Sequence, residues 1–130
     1  MQSQTSNGKS ILIVDDQLFF IQSIEPILLE WGYNVKSYIN PVDAISAVKD
    51  NEFDLVLCDL KMPCLRGDKL LFQLNRIKPE LKCFLITAVE KDDPILHKAL
   101  KLDNVHGLIP KPISYDRLLK TLQKETPLAK

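Results

Sequence analysis

Five polar side chains stand at the ends of short apolar runs. Asp15 and Asp16 follow ILIV, Asp59 follows LVLC, Thr87 follows CFLI, and Lys111 comes two residues after GLI. Continuous apolar runs are typical of strands that are buried on both faces, as in parallel sheets. The carboxyl ends of parallel strands meet at one edge, where doubly wound folds bind their ligands. We therefore expect these side chains to converge on one crevice.

The chemistry of this set is that of phosphoryl transfer. Three carboxylates close together repel one another, so they either take up protons or hold a cation between them. An open edge with a few carboxylates and room for water suits Mg²⁺ better than Ca²⁺. A metal ion, an ammonium and a hydroxyl around one carboxylate are what phosphoryl transfer needs, and that carboxylate can itself be the nucleophile. Asp59 is the best candidate, because its strand should be central and the other groups flank it.

Segments with helical spacing separate the apolar runs. One apolar stripe extends from Phe20 to Trp31, although Pro26 within it should kink the helix or shift its start. A second helix should begin with Asn40 as its N-cap and Pro41 in the first helical position.

Three more helices are indicated by their boundary residues. The third should end before Pro79, Asp93 and Pro94 should open the fourth, and Ser114 should cap a fifth that Pro127 stops. The residues expected to face the sheet are Phe20, Ile24, Ile27, Leu28, Trp31, Ile45, Val48, Leu70, Leu71, Leu74, Ile77, Ile95, Leu96, Ala99, Leu100, Leu118, Leu119 and Leu122.

The order of these elements predicts a doubly wound α/β domain. Residues 34–39 add a strand whose interleaved Lys36 and Ser37 suit an exposed edge. Strand and helix then alternate five times along the chain. We expect the domain to occupy residues 10–125, between a disordered tail at residues 1–9 and a C-terminal tail at residues 126–130.

The composition is that of one soluble domain with its own core, since the 130 residues include 17 basic and 17 acidic side chains and are 45% hydrophobic. The zero net charge gives no general reason to expect nucleic-acid binding. No apolar run approaches the roughly 18 residues that cross a bilayer, and the opening residues lack a signal-peptide pattern. The three cysteines are odd in number and lack CxxC spacing, which favours a reducing cytoplasm over disulfides or zinc.

Charge is unevenly placed along the chain. Residues 1–60 carry 3 basic and 9 acidic side chains, whereas residues 61–130 carry 14 and 8. The simpler interpretation is that these are solvated helix faces. The alternative is a basic surface late in the chain that faces a partner.

Four motifs closely resemble the receiver domain of two-component response regulators. ILIVDD, LVLCDLKMP, LITA and LIPKP occur in this order and spacing over residues 10–125. Each fragment alone is weak, but four in register on successive strand ends are highly specific. The resemblance implies a flavodoxin-like parallel sheet of five strands, in the order 2-1-3-4-5, with five helices.

The resemblance also implies roles for individual residues. Asp59 would accept a phosphoryl group from a sensor histidine kinase or a phosphotransfer protein, and the bond between Lys111 and Pro112 would be the family's cis-proline. The other implied contacts are Mg²⁺ held by Asp15, Asp16, Asp59 and the backbone carbonyl of Lys61, and phosphoryl oxygens bound by Thr87 and Lys111.

The implied function is phosphorelay signalling in the cytoplasm by a phosphoacceptor switch that catalyses only its own phosphotransfer and dephosphorylation. Its output would be a downstream protein target or an output domain absent from this chain, and a phosphorylation-dependent dimer is a further candidate. Direct contact with nucleic acid or membrane is not expected. Leu108 stands where family members have an aromatic residue that turns inward, so relay through an aromatic rotamer is not expected here.

Two positions resemble the family's variable ones, Lys61 two residues after the acceptor and Val89 two after the threonine, and they suggest a slowly hydrolysed phosphoryl group. Val89 cannot hydrogen-bond an attacking water, and Lys61 could lean on the phosphate and crowd its approach.

Other interpretations are weaker. Asp15 and Asp16 alone could be a helix cap. A phosphatase of the haloacid dehalogenase type needs a second aspartate two residues after the nucleophile, where Lys61 stands. A flavin or nucleotide carrier needs a glycine-rich or hydroxyl-rich loop after the first strand, not two carboxylates. A receiver-like module that signals by contact without phosphate stays open.

Overall fold

A computed structural model describes residues 8–127 as five strands that alternate with five helices. The predicted tails fall largely on residues 1–7 and 128–130, which lie outside the described residues. The elements are β1 (Ser10–Val14), α1 (Leu18–Glu30), β2 (Asn34–Tyr38), α2 (Pro41–Asp50), β3 (Leu55–Cys58), α3 (Gly67–Ile77), β4 (Lys82–Thr87), α4 (Pro94–Leu100), β5 (Val105–Pro110) and α5 (Tyr115–Glu125).

The strands form one parallel sheet in the order β2-β1-β3-β4-β5, which confirms the predicted fold. Every residue of β3 is buried, as are Ile11–Val14 of β1, whereas β2 lies at an edge with Asn34 and Lys36 exposed. The apolar runs of β1, β3 and β4 therefore mark the interior of the sheet, and the polar residues of β2 mark one edge, as predicted. The weaker run of β5 differs from the prediction, because β5 forms the other edge and is only partly buried.

The helices cover the two faces of the sheet. Along β1, Leu12 and Val14 pack with residues of α2, α3 and α4, whereas Ile11 and Ile13 pack with α1 and α5. This division follows from the alternation of side chains between the two faces of a strand.

Three helices begin at the predicted caps. Asn40 accepts a hydrogen bond from the N–H of Val42 at 2.9 Å, and Asp93 accepts one from Ile95 at 2.8 Å. Ser114 caps α5 in the same way. These bonds satisfy backbone donors that have no partner within the first helical turn.

Pro26 is exposed and lies inside α1, which extends from Leu18 to Glu30, so the start of the helix is not shifted past the proline. One detail of the helices differs from the prediction. Leu100 was predicted to face the sheet, but 40% of it is exposed because it lies about a quarter of a turn from the buried Ala99, at the end of α4.

Candidate functional site

The carboxyl ends of neighbouring strands bring the predicted site residues to one edge of the sheet. β1 and β3 are paired so that Val14 lies opposite Cys58, and the ladder continues one step further. The N–H of Asp15 donates to the carbonyl of Tyr38 at 3.1 Å, and the N–H of Asp59 donates to that of Val14 at 2.9 Å. The backbones of both aspartates are therefore fixed by the sheet itself.

Asp15, Asp16 and Asp59 form a cluster that could hold a metal ion. Each offers a carboxylate oxygen within 4.8 Å of the oxygens of the other two. Asp15 is 1% exposed and Asp59 is 7% exposed, so water screens their mutual repulsion poorly. A set of three carboxylates is a ligand set for a hard divalent cation.

The pKa of Asp59 is raised from 3.8 to about 6. Burial of the carboxyl group is the largest cause, and the negative charge of Asp15 adds to it. The ammonium of Lys111 and the N–H of Leu60, which donates to Asp59 Oδ1 at 2.8 Å, act in the opposite direction. The anion of Asp59 is therefore poorly stabilised by the protein alone, and a cation among the three carboxylates would favour it.

Lys111 projects into the same cleft from the end of β5. Its Nζ lies 2.7 Å from Asp15 Oδ2 and 3.9 Å from Asp59 Oδ2. Gln17 Oε1 at 3.3 Å and the ring of Phe20, with its centroid at 4.4 Å, complete the surroundings of the ammonium. Asp15 is therefore the main partner of the Lys111 ammonium, and Asp59 lies further from it.

The cis peptide bond that the resemblance implies is present between Lys111 and Pro112. The N–H of Lys111 donates to the carbonyl of Thr87 at 3.0 Å, which joins the ends of β5 and β4.

Thr87 is the buried last residue of β4. Its hydroxyl accepts a hydrogen bond from the N–H of Val89 at 3.3 Å. In this state the hydroxyl is therefore bonded to the loop that leads to α4.

Lys61 lies two residues after Asp59 and is paired with a residue of another loop. Its Nζ forms an ion pair with Asp93 Oδ2 at 2.8 Å. The hydrogen bond from Lys61 is the largest cause that lowers the pKa of Asp93. Because Asp93 is also the N-cap of α4, this pair joins the loop after β3 to the start of that helix.

Gly67 is a positioning residue that the sequence analysis missed. A Cβ atom at this position would lie 2.3 Å from the carbonyl oxygen of Asp59 and 2.8 Å from the Cα of Leu60. The N–H of Gly67 also donates to the carbonyl of Leu60 at 2.6 Å. Only glycine allows α3 to begin so close to the backbone of Asp59.

Two further partners of the site were also missed. Gln17 and Phe20 contact the ammonium of Lys111. Their position just after the paired aspartates was the available signal, since a helix that starts at the end of β1 places its first turn over the site.

Two of the three cysteines are buried, and the Sγ of Cys58 donates a hydrogen bond to the carbonyl of Asp59 at 3.1 Å. Burial raises the pKa of Cys83 to about 12 and that of Cys58 well above its ordinary value. These two thiols are therefore core residues, while Cys64 is exposed.

Comparison with known proteins establishes the family. Residues 11–123 match the response regulator receiver domain. The chain therefore belongs to the family of response regulator receiver domains, as its motifs predicted. Such a domain is a module of phosphorelay signalling in two-component systems, where it interacts with histidine kinases and output domains.

Individual relatives agree with this assignment. The transcriptional regulatory protein ZraR of Salmonella typhimurium is 35% identical over 114 residues, which are 88% of this chain and 25% of ZraR. The chain thus spans about a quarter of the length of this relative. A CheY-like receiver domain protein from Methanospirillum hungatei shares 26% identity and a TM-score of 0.84, with 90% of this chain and 92% of the other covered.

A further solved structure shares the fold and contains a metal ion. It is the receiver domain of a sensor histidine kinase from Pseudomonas aeruginosa, with magnesium coordinated in its active-site cleft. Its TM-score is 0.81 at 22% identity, with 90% of this chain and 96% of the other covered.

Within residues 8–127, the structure contains no helix that is both long and apolar enough to span a membrane.

Replacing Asp59 with asparagine should stabilise the metal-free protein at pH 7.5. The folded state binds the Asp59 proton more tightly than the unfolded chain does, because its pKa is about 6 instead of 3.8. The free energy of unfolding of the wild type should therefore fall by about 2 kcal/mol as the pH rises from about 4 to about 6. Urea unfolding with a chelator present should show the variant to be more stable at pH 7.5.

The same comparison at low pH provides the control. The advantage of Asp59→Asn should disappear below pH ~4, where the wild-type carboxyl is protonated in both states. Asp50→Asn, at an exposed position at the end of α2, is the matched control substitution. An advantage that persists in acid would contradict the raised pKa.

Replacing Gly67 with alanine should displace the backbone at Asp59. The added Cβ meets main-chain atoms that cannot rotate away, so we expect a loss of about 1–3 kcal/mol in unfolding free energy. Gly107→Ala is the matched control, because its Cβ would meet a side chain, the ring of Phe84 at 3.0 Å, and no main-chain atom within 4 Å. Equal losses in the two variants would show that the close approach to Asp59 is unimportant.

Proposed function

We propose that Asp59 accepts a phosphoryl group from a histidine kinase or a phosphotransfer protein. The observation that carries this proposal is the geometry of the cleft: a buried carboxylate at the end of the central strand, with two further carboxylates and a lysine ammonium beside it. Membership of the receiver family supports the same role.

Asp59, Lys111 and Thr87 would each have a separate role in phosphoryl transfer. An Asp59 oxygen would attack the phosphorus of the donor phosphohistidine, forming a P–O bond as the P–N bond breaks and its electron pair returns to the imidazole. Lys111 would balance charge that develops on the phosphoryl oxygens, and the Thr87 hydroxyl would donate a hydrogen bond to one of them. The low exposure of Asp59 limits the access of water to the product.

Magnesium is the cation that we propose for the acidic cluster. Asp15, Asp16, Asp59 and the backbone carbonyl of Lys61 would hold it, and it would neutralise charge on the transferred group. The raised pKa of Asp59 supports this assignment, since burial and the neighbouring carboxylates disfavour its anion more than Lys111 offsets.

Phosphorylation would change the contacts of Lys111 and Thr87. The phosphoryl group adds about two negative charges and three acceptor oxygens at Asp59. Lys111 would then divide its ammonium between Asp15 and the phosphate. The Thr87 hydroxyl would exchange its bond with the Val89 N–H for one with the phosphate, which releases the loop before α4.

The conformational change would be transmitted to partners through this loop and α4. Leu108 is half-buried against the same core as α4 and lacks an aromatic ring, so the change at Thr87 would be passed on by the loop backbone. The partners that we propose are a cognate kinase, a downstream protein or output domain, and a second copy on phosphorylation. We further propose that the chain acts in the cytoplasm and is a switch, not an enzyme that acts on other substrates.

Acetyl phosphate with Mg²⁺ provides the direct test. The wild type should gain the mass of one phosphoryl group, and Asp59→Asn should gain none. Lys111→Ala should be modified at least about tenfold more slowly, because the charge nearest the acceptor is lost. Lys101→Ala, at an exposed position after α4, is the control and should react like the wild type.

A phosphoryl gain in Asp59→Asn would reject the acceptor. No gain in the folded wild type would instead favour a module that signals by contact alone.

We also propose that the phosphoryl group is lost slowly. Val89 offers no side-chain hydrogen bond to an attacking water, so Val89→Glu should speed dephosphorylation several-fold. The measurement is the decay of the phosphorylated mass after the donor is removed, with Val42→Glu on the exposed face of α2 as the control. Rapid decay in the wild type that Val89→Glu leaves unchanged would end this proposal.

A further inference from the structure

A groove between α3 and α4 contains none of the residues assigned to phosphoryl transfer. It is lined by Asp68, Lys69, Phe72, Lys98 and Leu102 and has a volume of about 190 Å³. Sites for small organic ligands usually enclose about 300 Å³ or more. The size of this groove therefore suits one large side chain of a partner.

The wall of the groove is apolar. Phe72 is 48% exposed, although Leu70, Leu71 and Leu74 of the same helix are fully buried. Across the groove, Leu102 is half-buried and packs against the core. An exposed aromatic ring beside a second apolar side chain is a surface that gains free energy when it is covered.

The rim of the groove is basic. On α3, Lys69 and Arg76 lie one helical turn before and one turn after Phe72, on the same face. The guanidinium of Arg76 is 6.0 Å from the centre of the Phe72 ring. Lys98 adds a positive charge from α4 and is 60% exposed in its side chain.

The one carboxylate of the groove is already occupied. Asp68 is buried and is bonded to Arg66 through two nitrogens at 3.1 and 3.2 Å, with Lys98 Nζ at 3.9 Å. Neither α3 nor α4 contains another acidic residue. The surplus of positive charge at the rim therefore has no partner on these two helices.

We infer that the α3–α4 groove binds an acidic amphipathic helix of a protein partner. The helix would insert a phenylalanine or leucine between Phe72 and Leu102. Carboxylates one turn to either side of this anchor would meet Lys69 and Arg76. This is the partner-facing basic surface that the charge asymmetry of the sequence left open, and it does not depend on the chemistry at Asp59.

The shape of the surface favours a peptide over a membrane. Proteins that lie on membranes present several apolar side chains on a broad face to the lipid. Here a single exposed aromatic residue, Phe72, borders a concave groove of side-chain size. An anchored helix fits this form better than a flat lipid surface does.

The test is a titration of the isotope-labelled full chain with a short synthetic helix that has one central phenylalanine and glutamates one turn to either side. Saturable changes in amide chemical shift should be confined to the groove around Lys69, Phe72 and Leu102. Phe72→Ala should weaken binding about tenfold or more, as expected for a central anchor. Lys69→Gln should weaken it several-fold and reduce its dependence on salt.

Matched controls make each outcome decisive. Leu29→Ala removes an exposed leucine from α1, on the opposite face of the sheet, and should leave the affinity unchanged. A helix with lysines in place of its glutamates should not bind. Binding that maps outside the groove, or that is unaffected by Phe72→Ala, would overturn the inference. Larger shifts of the groove resonances with vesicles of anionic lipid than with the peptide would also overturn it. So would shifts of those resonances that depend on the concentration of the chain alone, because they would indicate that a second copy occupies the groove.

Discussion

Two buried carboxylates at the ends of neighbouring strands repel each other, and the rest of the site is arranged around that repulsion. The ammonium of Lys111, 2.7 Å from Asp15 and 3.9 Å from Asp59, relieves only part of it. Burial of the carboxyl group, together with this repulsion, keeps the pKa of Asp59 raised. A cleft that is short of positive charge is suited to a divalent cation.

The sheet keeps these charges together by restricting the backbone conformation of the residues that carry them. Ladder hydrogen bonds hold the backbones of Asp15 and Asp59, and the close approach of Gly67 to the Asp59 carbonyl fixes the loop that follows. The part of the site that can move is therefore one that is held by few, reversible hydrogen bonds. Thr87 meets that description, since its hydroxyl forms one hydrogen bond of 3.3 Å to the loop before α4.

The sequence was informative where a local rule operates. Apolar runs located the buried strands, and Asn40 and Asp93 capped helices as their side-chain chemistry requires. It was silent where distant segments meet. Nothing near Lys61 reveals that Asp93 is its partner, and the need for glycine at position 67 appears only when α3 is seen against Asp59. Leu100 was misplaced because a short helix has too few turns for its spacing to define the buried face.

The polar edge of the sheet has a consequence for how copies of this protein can meet. Lys36 on the exposed β2 would have to give up its hydration if another strand were added there, and Ser37 is already bonded to Glu25 of α1. Such features discourage edge-to-edge growth and the fibrous aggregates that it seeds. The same reasoning favours contact between copies through helical surfaces, where no backbone ladder can be extended from one copy to the next.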